Sequence, residues 1–406
     1  MIPPHVDDRA YVHDLIEAIL RACPVRQSTS PDERRAQDML GDELAQLGLA
    51  PTFRPFEFND NLHHNMMLHF GLGVLGTAVS GVAPAAGLAL HAAAAGSYWA
   101  DVSRRGYFLR RLLPFKQAHN LVAVAPARGP GPVRRRIVFV AHADAGFTGW
   151  VFDPRVVERA EQGPGFLRRP IELATKATAA LAGFDALRMV LGPLTLPLRP
   201  LEWALTLPAA MTFALNAQIA LKNTVVPGAN DNLSACAALP VLARRLVPTV
   251  PPDVELVFVV TACEEAHLGG ADALARETSD AWGKAETAVI ALDGLTNGEL
   301  HYIETEGEVS RMDVTPWLRD TAQAVARDLG VPGGIQPISP PAGGSDAGPF
   351  LARGFDAIAI VCVDPALGAP RHYHHPSDTL DNLDLDQLLR SIDFAEALAH
   401  AIAARA

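Results

Sequence analysis

The chain has 406 residues, 49% of them hydrophobic, with 19% charged residues and a net charge of -11. That is ample chain for a large core, and the lack of any basic block excludes nucleic acid as a partner. The four cysteines, Cys23, Cys236, Cys263 and Cys362, form no CxxC pair, which excludes a disulfide or zinc-ribbon scaffold and reads as reduced thiols of a cytoplasmic protein.

The opening MIPPHVDDRAYVHDLIEAIL has neither a basic start nor an apolar core, so it reads as no secretory signal. Residues 8–22 carry the period of an amphipathic helix. A second helix opens at Ser30-Pro31-Asp32-Glu33, where Ser30 caps, Pro31 fits the first turn and Glu33 completes a capping box, and it runs to about Leu47. Strands are expected at 51–58, 120–126 and 134–144.

Between the first two strands the composition changes. From Asn61 to Ala100 there is no Asp, Glu, Lys or Arg. The stretch reads as two apolar arms around a Gly/Pro turn, each about 15 residues and so shorter than the roughly 20 of a membrane-spanning helix. The basic, aromatic flank DVSRRGYFLRRLLPFK suits an interface, with Arg104, Arg105, Arg110 and Arg111 toward anionic headgroups. A second apolar insertion follows, with helices expected at 170–191 and 201–222, separated by Pro193, Pro197 and Pro200. The insertions, 61–118 and 146–226, are expected to pack on each other within a single domain spanning 1–406. Their outer face then meets a membrane surface or a second subunit.

The rest has an α/β rhythm: helix 233–246, strand 254–262, helix 268–279, strand 287–294, helix 315–329, the loop PISPPAGGSDAGPF, strand 355–363 and a closing helix. Continuous β-branched runs such as VELVFVV read as strands buried on both faces of a parallel sheet. The expected fold is therefore α/β, a mostly parallel central sheet with helices on both faces.

Five residues capable of holding a metal fall at or near the expected strand ends: His142 in IVFVAHAD, Asp231 in PGANDN, Glu265 in VVTACEE, Asp293 in VIALDG and His374 in RHYHHPSDT. Ligands collect at the carboxyl ends of parallel strands. Two imidazoles and three carboxylates, with no thiolate, suit zinc, with manganese or cobalt as alternatives. Five ligands exceed the need of one open tetrahedral zinc and fit two metals sharing a carboxylate, an arrangement that activates water and polarises a carbonyl. Glu264 precedes Glu265, and adjacent side chains of an extended segment diverge, so one ligates while the other serves as general base. Asp144, two residues after His142, is placed to accept the imidazole N–H and fix the tautomer.

HxD, GANDN, EE, LDG and YHxxxDT together resemble the co-catalytic zinc aminopeptidases of metallopeptidase family twenty-eight, whose relatives include the glutaminyl cyclases. The resemblance covers roughly residues 8–60, 119–145 and 225–400. It implies that His142, Asp231 and Asp293 hold one zinc, that Asp231, Glu265 and His374 hold the other, and that Glu264 is the base. It also implies a cis Asp231–Asn232 bond. The chain departs from the family pattern at Ala145, Ala347 and His375, the last offering a competing ligand beside His374.

The expected activity is two-zinc hydrolysis of a peptide or amide bond in a small, hydrophobic-leaning substrate, by an aminopeptidase-like enzyme. A single-zinc aminoacyl transferase like the glutaminyl cyclases is the second reading, and a membrane-associated, non-catalytic relative the third. The expected location is the cytoplasm, with the inner membrane face as the peripheral alternative.

Overall fold

A computed structural model describes residues 7–161, 169–340 and 343–405. Residues 162–168 of the second insertion, and Pro341 and Ala342 of the PISPPAGG loop, lie outside them.

Helix α1 spans Asp8–Ala22, with Asp7 accepting from the Arg9 N–H as its cap. Helix α2, Pro31–Gln46, is capped by Ser30, whose Oγ accepts from the Glu33 N–H. The Glu33 carboxylate does not close the expected capping box. It accepts instead from the backbone N–H of Thr29 at 2.8 Å and of Cys263 at 2.8 Å, joining the start of α2 to a strand end.

Strand β1 (Thr52–Phe58) leads into α3 (Leu62–Ser80) and α4 (Pro84–Val102). Asn61 caps α3 by accepting from His63 and His64. These arms are 19 residues each, longer than their sequence suggested: the helical path runs through Gly71, Gly73 and Gly76, and only Gly81–Ala83 breaks it. Strands β2 (Lys116–Ala125) and β3 (Arg135–His142) come next, then α5 (Pro154–Glu161), α6 (Pro170–Leu191) and α7 (Arg199–Lys222). Helices α3, α4, α6 and α7 pack in a ring as a four-helix bundle. Of the four arginines expected to face headgroups, Arg110 does not. It is fully buried and paired with Asp101 at 2.7 Å. Arg104 is partly buried, donating to the His267 carbonyl at 2.9 Å, while Arg105 and Arg111 are exposed.

The chain continues through α8 (Ala235–Leu246), β4 (Val254–Thr261), α9 (Gly269–Thr278), β5 (Thr287–Asp293), β6 (Glu299–Ile303), β7 (Thr305–Glu306) and β8 (Met312–Asp313). It ends with α10 (Pro316–Asp328), β9 (Gln336–Ile338), α11 (Gly348–Leu351), β10 (Asp356–Val363) and α12 (Leu385–Ala404). The eight-stranded sheet has the order β1-β2-β4-β3-β5-β10-β6-β9. Its centre, β4-β3-β5-β10, is parallel, while β1-β2, β2-β4 and β10-β6 are antiparallel. The sheet is thus mixed and mostly parallel, with helices around it.

Successive residues of β3 enter different cores. Ile137 and Phe139 pack with α1, α2, α8 and α12; Val138 and Val140 pack with α9 and α11. Burial on both faces explains why the central strands are unbroken apolar runs. The Phe139 and Phe258 rings stack at 5.6 Å across the β3–β4 pair, fixing its register. That register sets His142 opposite Thr261, three residues before Glu264.

Candidate metal centre

The parallel strands end together, and their ends deliver the site. His142 closes β3, Glu264 and Glu265 follow β4, and Asp293 closes β5. Asp231 stands in the loop before α8, and His374 in the loop after β10. The Asp231–Asn232 peptide is cis, as the family resemblance implies.

The structure brings all five expected ligands together. Asp231 lies between the imidazoles, its Oδ1 at 3.2 Å from His142 Nε2 and its Oδ2 at 3.4 Å from His374 Nε2. Asp293 Oδ1 is 3.9 Å from His142 Nε2, and Glu265 Oε1 is 3.1 Å from His374 Nε2. Glu264 Oε2 comes within 3.8 Å of His142 Nε2. Potential ligand atoms of His142, Asp231 and Glu265 lie within 4.8 Å of one another, as do those of His142, Glu264 and Asp293.

Asp144 takes a different part from the one expected. His142 Nδ1 approaches the Asp144 backbone carbonyl at 3.1 Å, while its carboxylate is 3.5 Å away. The backbone oxygen therefore fixes the tautomer. The carboxylate accepts from Ser28 Oγ at 2.6 Å and from the backbone N–H groups of Glu264 at 3.2 Å and Glu265 at 3.0 Å. It is a positioning group for the Glu pair. His375 Nδ1 lies 2.7 Å from Ser377 Oγ, and the ring is not among the side chains grouped around Asp231.

Two positioning residues were not singled out from sequence. Asp378 accepts from the Asn230 N–H at 2.7 Å and the Asp231 N–H at 3.0 Å. It belongs to the YHxxxDT stretch, so a carboxylate next to the ligand loop was visible there without a role. Arg26 is completely buried and donates to the carbonyls of Ala143, Pro227 and Gly228 at 2.8–3.0 Å. Gly228 needs its left-handed φ of 64°, and a Cβ there would lie 2.5 Å from the Asp231 carbonyl.

The electrostatics fit a cation. Four carboxylates, Asp231, Glu264, Glu265 and Asp293, face two imidazoles in a buried centre. Burial pushes the Glu264 carboxyl well above the carboxylate range; His142 opposes this, and Glu265, Asp346 and Asp293 add to it. Burial also raises Asp346 and Asp378 to about 7. For His142, burial favours the neutral ring, but the neighbouring carboxylates of Glu264, Asp144, Asp231 and Asp293 carry it well above its ordinary value. A bound cation would take the place of that proton. The buried atoms Glu265 Oε1 and His374 Nε2 have no hydrogen-bond partner, which leaves both free to ligate.

Gly146 leaves the room the centre needs. A Cβ there would stand 2.6 Å from the His374 ring and 2.7 Å from Glu265 Oε1. Gly146→Ala is expected to lower metal affinity by about 10–100-fold, the range for displaced supporting groups. Calorimetric metal titration of a folded variant checks this, and unchanged affinity contradicts it.

A mixed α/β sheet with this cluster at the ends of its parallel strands has the build of a metal-dependent hydrolase. Residues 216–399 match the model of Peptidase family M28, so the resemblance read from the motifs holds, over a segment narrower than the one first outlined. No curated protein matches the chain. Among solved structures, it is similar to BSAP, a zinc aminopeptidase from Bacillus subtilis, at 12% identity and a TM-score of 0.57, covering 97% of this chain and 94% of that one. It is similar to an aminopeptidase from Aneurinibacillus sp. strain AM-1 at 15% identity and a TM-score of 0.57, with coverages of 97% and 93%. A glutaminyl cyclase from Fimbriiglobus ruber aligns at 13% identity and a TM-score of 0.56, with coverages of 99% and 97%. At such identities the likeness shows the fold. Together with the family match, it supports a metallopeptidase-like enzyme.

Proposed function

We propose that the protein hydrolyses a peptide or amide bond as a two-zinc, aminopeptidase-like enzyme. The observation that carries this reading is Asp231, whose two carboxylate oxygens face different imidazoles, His142 at 3.2 Å and His374 at 3.4 Å. His142, Asp231 and Asp293 would hold one ion, and Asp231, Glu265 and His374 the other. Manganese or cobalt suits the same donors. Such ions, when bound, lower the pKa of water and polarise a carbonyl.

The side chains supply the rest. Glu264, held by its backbone to Asp144, is the general base that takes a proton from the attacking water and returns it to the leaving amine. Asp144 keeps Glu264 and Glu265 apart in direction by fixing both of their N–H groups. Phe152 and Tyr373 pack on the His374 ring at 4.5 and 4.1 Å, forming an apolar wall that favours a hydrophobic substrate.

Elemental analysis after zinc loading is expected to approach two equivalents per chain, falling in His142→Ala. One equivalent, unchanged in His142→Ala, would overturn the two-zinc reading and favour the cyclase-like transferase, a fold this chain resembles equally. A panel of aminoacyl, N-acyl and dipeptide substrates would then separate hydrolysis from cyclisation.

A further inference from the structure

Helix α7 of the four-helix bundle is built inside out for water. On α7 the buried stripe is Glu202, Thr206, Ala209, Thr212, Asn216 and Ile219. Its exposed face carries Leu201, Trp203, Leu207, Met211 and Leu221, each 49–86% exposed. Only 28% of the apolar 18-residue window within Pro170–Lys222 is buried. A helix of a soluble protein turns its apolar stripe inward.

Toward the tip the bundle's interior is a polar network, while nearer the sheet it is apolar, with Phe70, Tyr98, Ile171 and Ala209 packed together. His91 Nδ1 is 2.7 Å from Asp185 Oδ2, and its Nε2 is 3.2 Å from Thr77 Oγ1. Thr77 bonds Thr206 at 2.7 Å, and Ser80 bonds Asp185. Arg188 pairs with Glu202 at 2.6 Å and donates to Ser80 at 2.6 Å. All four helices contribute. Polar side chains that join helices inward, with apolar ones outward, are the arrangement of a bundle in lipid.

Length and ends agree. Helices α3 and α6 lead away from the sheet, and α4 and α7 return. Their 19, 19, 22 and 24 residues make about 28–36 Å, against a hydrocarbon core of about 30 Å. The far tip is Gly81–Ala83 and Gly192–Leu198, where Val82, Leu194 and Leu196 are 89%, 76% and 59% exposed. Residues 189–198 contain no charge. At the sheet end, exposed Trp99, Trp150 and Phe108 stand with Arg105, Arg111 and Lys222, as aromatic and cationic residues do at a membrane–water boundary.

We propose that this bundle is inserted, tip first, in a lipid bilayer and holds the metal centre at the membrane surface. A second copy of the chain is the weaker occupant. It would cover one face, whereas exposed apolar residues lie on α3 (Leu75), α6 (Leu187, Val190), α7 (Leu207, Met211) and the tip between them.

The full chain, purified in detergent, is reconstituted into vesicles of phosphatidylcholine, with and without phosphatidylglycerol. Met211→Cys, midway along α7, and Lys222→Cys carry a fluorophore, since all four native cysteines are buried. We expect flotation with both vesicle types. The label at 211 should be quenched more by lipids bearing a nitroxide deep in the acyl chain, and the label at 222 more by a headgroup nitroxide. Changing Val190, Leu194 and Leu196 together to Glu should lower the vesicle-bound fraction at least about tenfold, with metal content and helical circular dichroism unchanged. Three results would overturn the proposal. One is a detergent-free monomer that stays off both vesicles. Another is a detergent-free dimer that shields position 211 and does not float. The third is equal quenching of both labels by headgroup nitroxide.

Discussion

Glu264→Gln is expected to keep both metals and to lose about 10²–10⁴-fold in turnover, the usual contribution of a positioned general base. Gln fills the same space and keeps the backbone N–H that Asp144 holds at 3.2 Å, so the loop should not move. What it loses is the ability to take a proton. Glu265→Gln, one residue on, should do the reverse. Its Oε1 is 3.1 Å from His374 Nε2 and has no hydrogen-bond partner, so neutralising it removes ligand charge and weakens metal binding. The test measures metal content and turnover in both variants against one amide substrate. Glu264 is as near His142 as Asp293 is, at 3.8 and 3.9 Å, so a ligand role competes with the base role. Loss of metal in Glu264→Gln, or turnover within a few-fold of the parent, would remove the base assignment.

The part of this molecule that sequence exposes most clearly is the part where one signal repeats along the chain. The four parallel strands are continuous β-branched runs because both faces are buried, and each ends near a His or carboxylate. Strands β6 and β9 were not seen. They hold five and three residues, too few for a period to emerge. The apolar arms were seen but read short, because the glycines within them looked like breaks. Asp144 was placed in the site by its spacing from His142, yet spacing cannot say whether a backbone or a side-chain oxygen meets the ring. Arg26 gave no signal at all. A single arginine in a short polar loop has the look of a solvated residue, and only the fold shows three loop carbonyls converging on it.

That convergence makes Arg26 the most sensitive position outside the ligand set. Its guanidinium reaches the carbonyls of Pro227 at 2.8 Å and Gly228 at 2.9 Å, while Asp378 holds the N–H groups of Asn230 and Asp231. Between them, the two side chains satisfy both kinds of backbone group along the loop that carries Asp231. Arg26→Met keeps an apolar stem of similar reach and removes every donor. The Ala143 and Pro227 carbonyls would lose this donor and Gly228 would keep only the Leu233 N–H at 3.3 Å, with each buried acceptor left unpaired costing about 1–3 kcal/mol. A loss of roughly 3–5 kcal/mol is therefore expected, measured by denaturant unfolding of the metal-free protein, together with weaker metal binding. Arg26→Lys can serve one or two of these carbonyls and should fall between. If Arg26→Met unfolds within about 1 kcal/mol of the parent, water has replaced the guanidinium, and the loop is held by Asp378 alone.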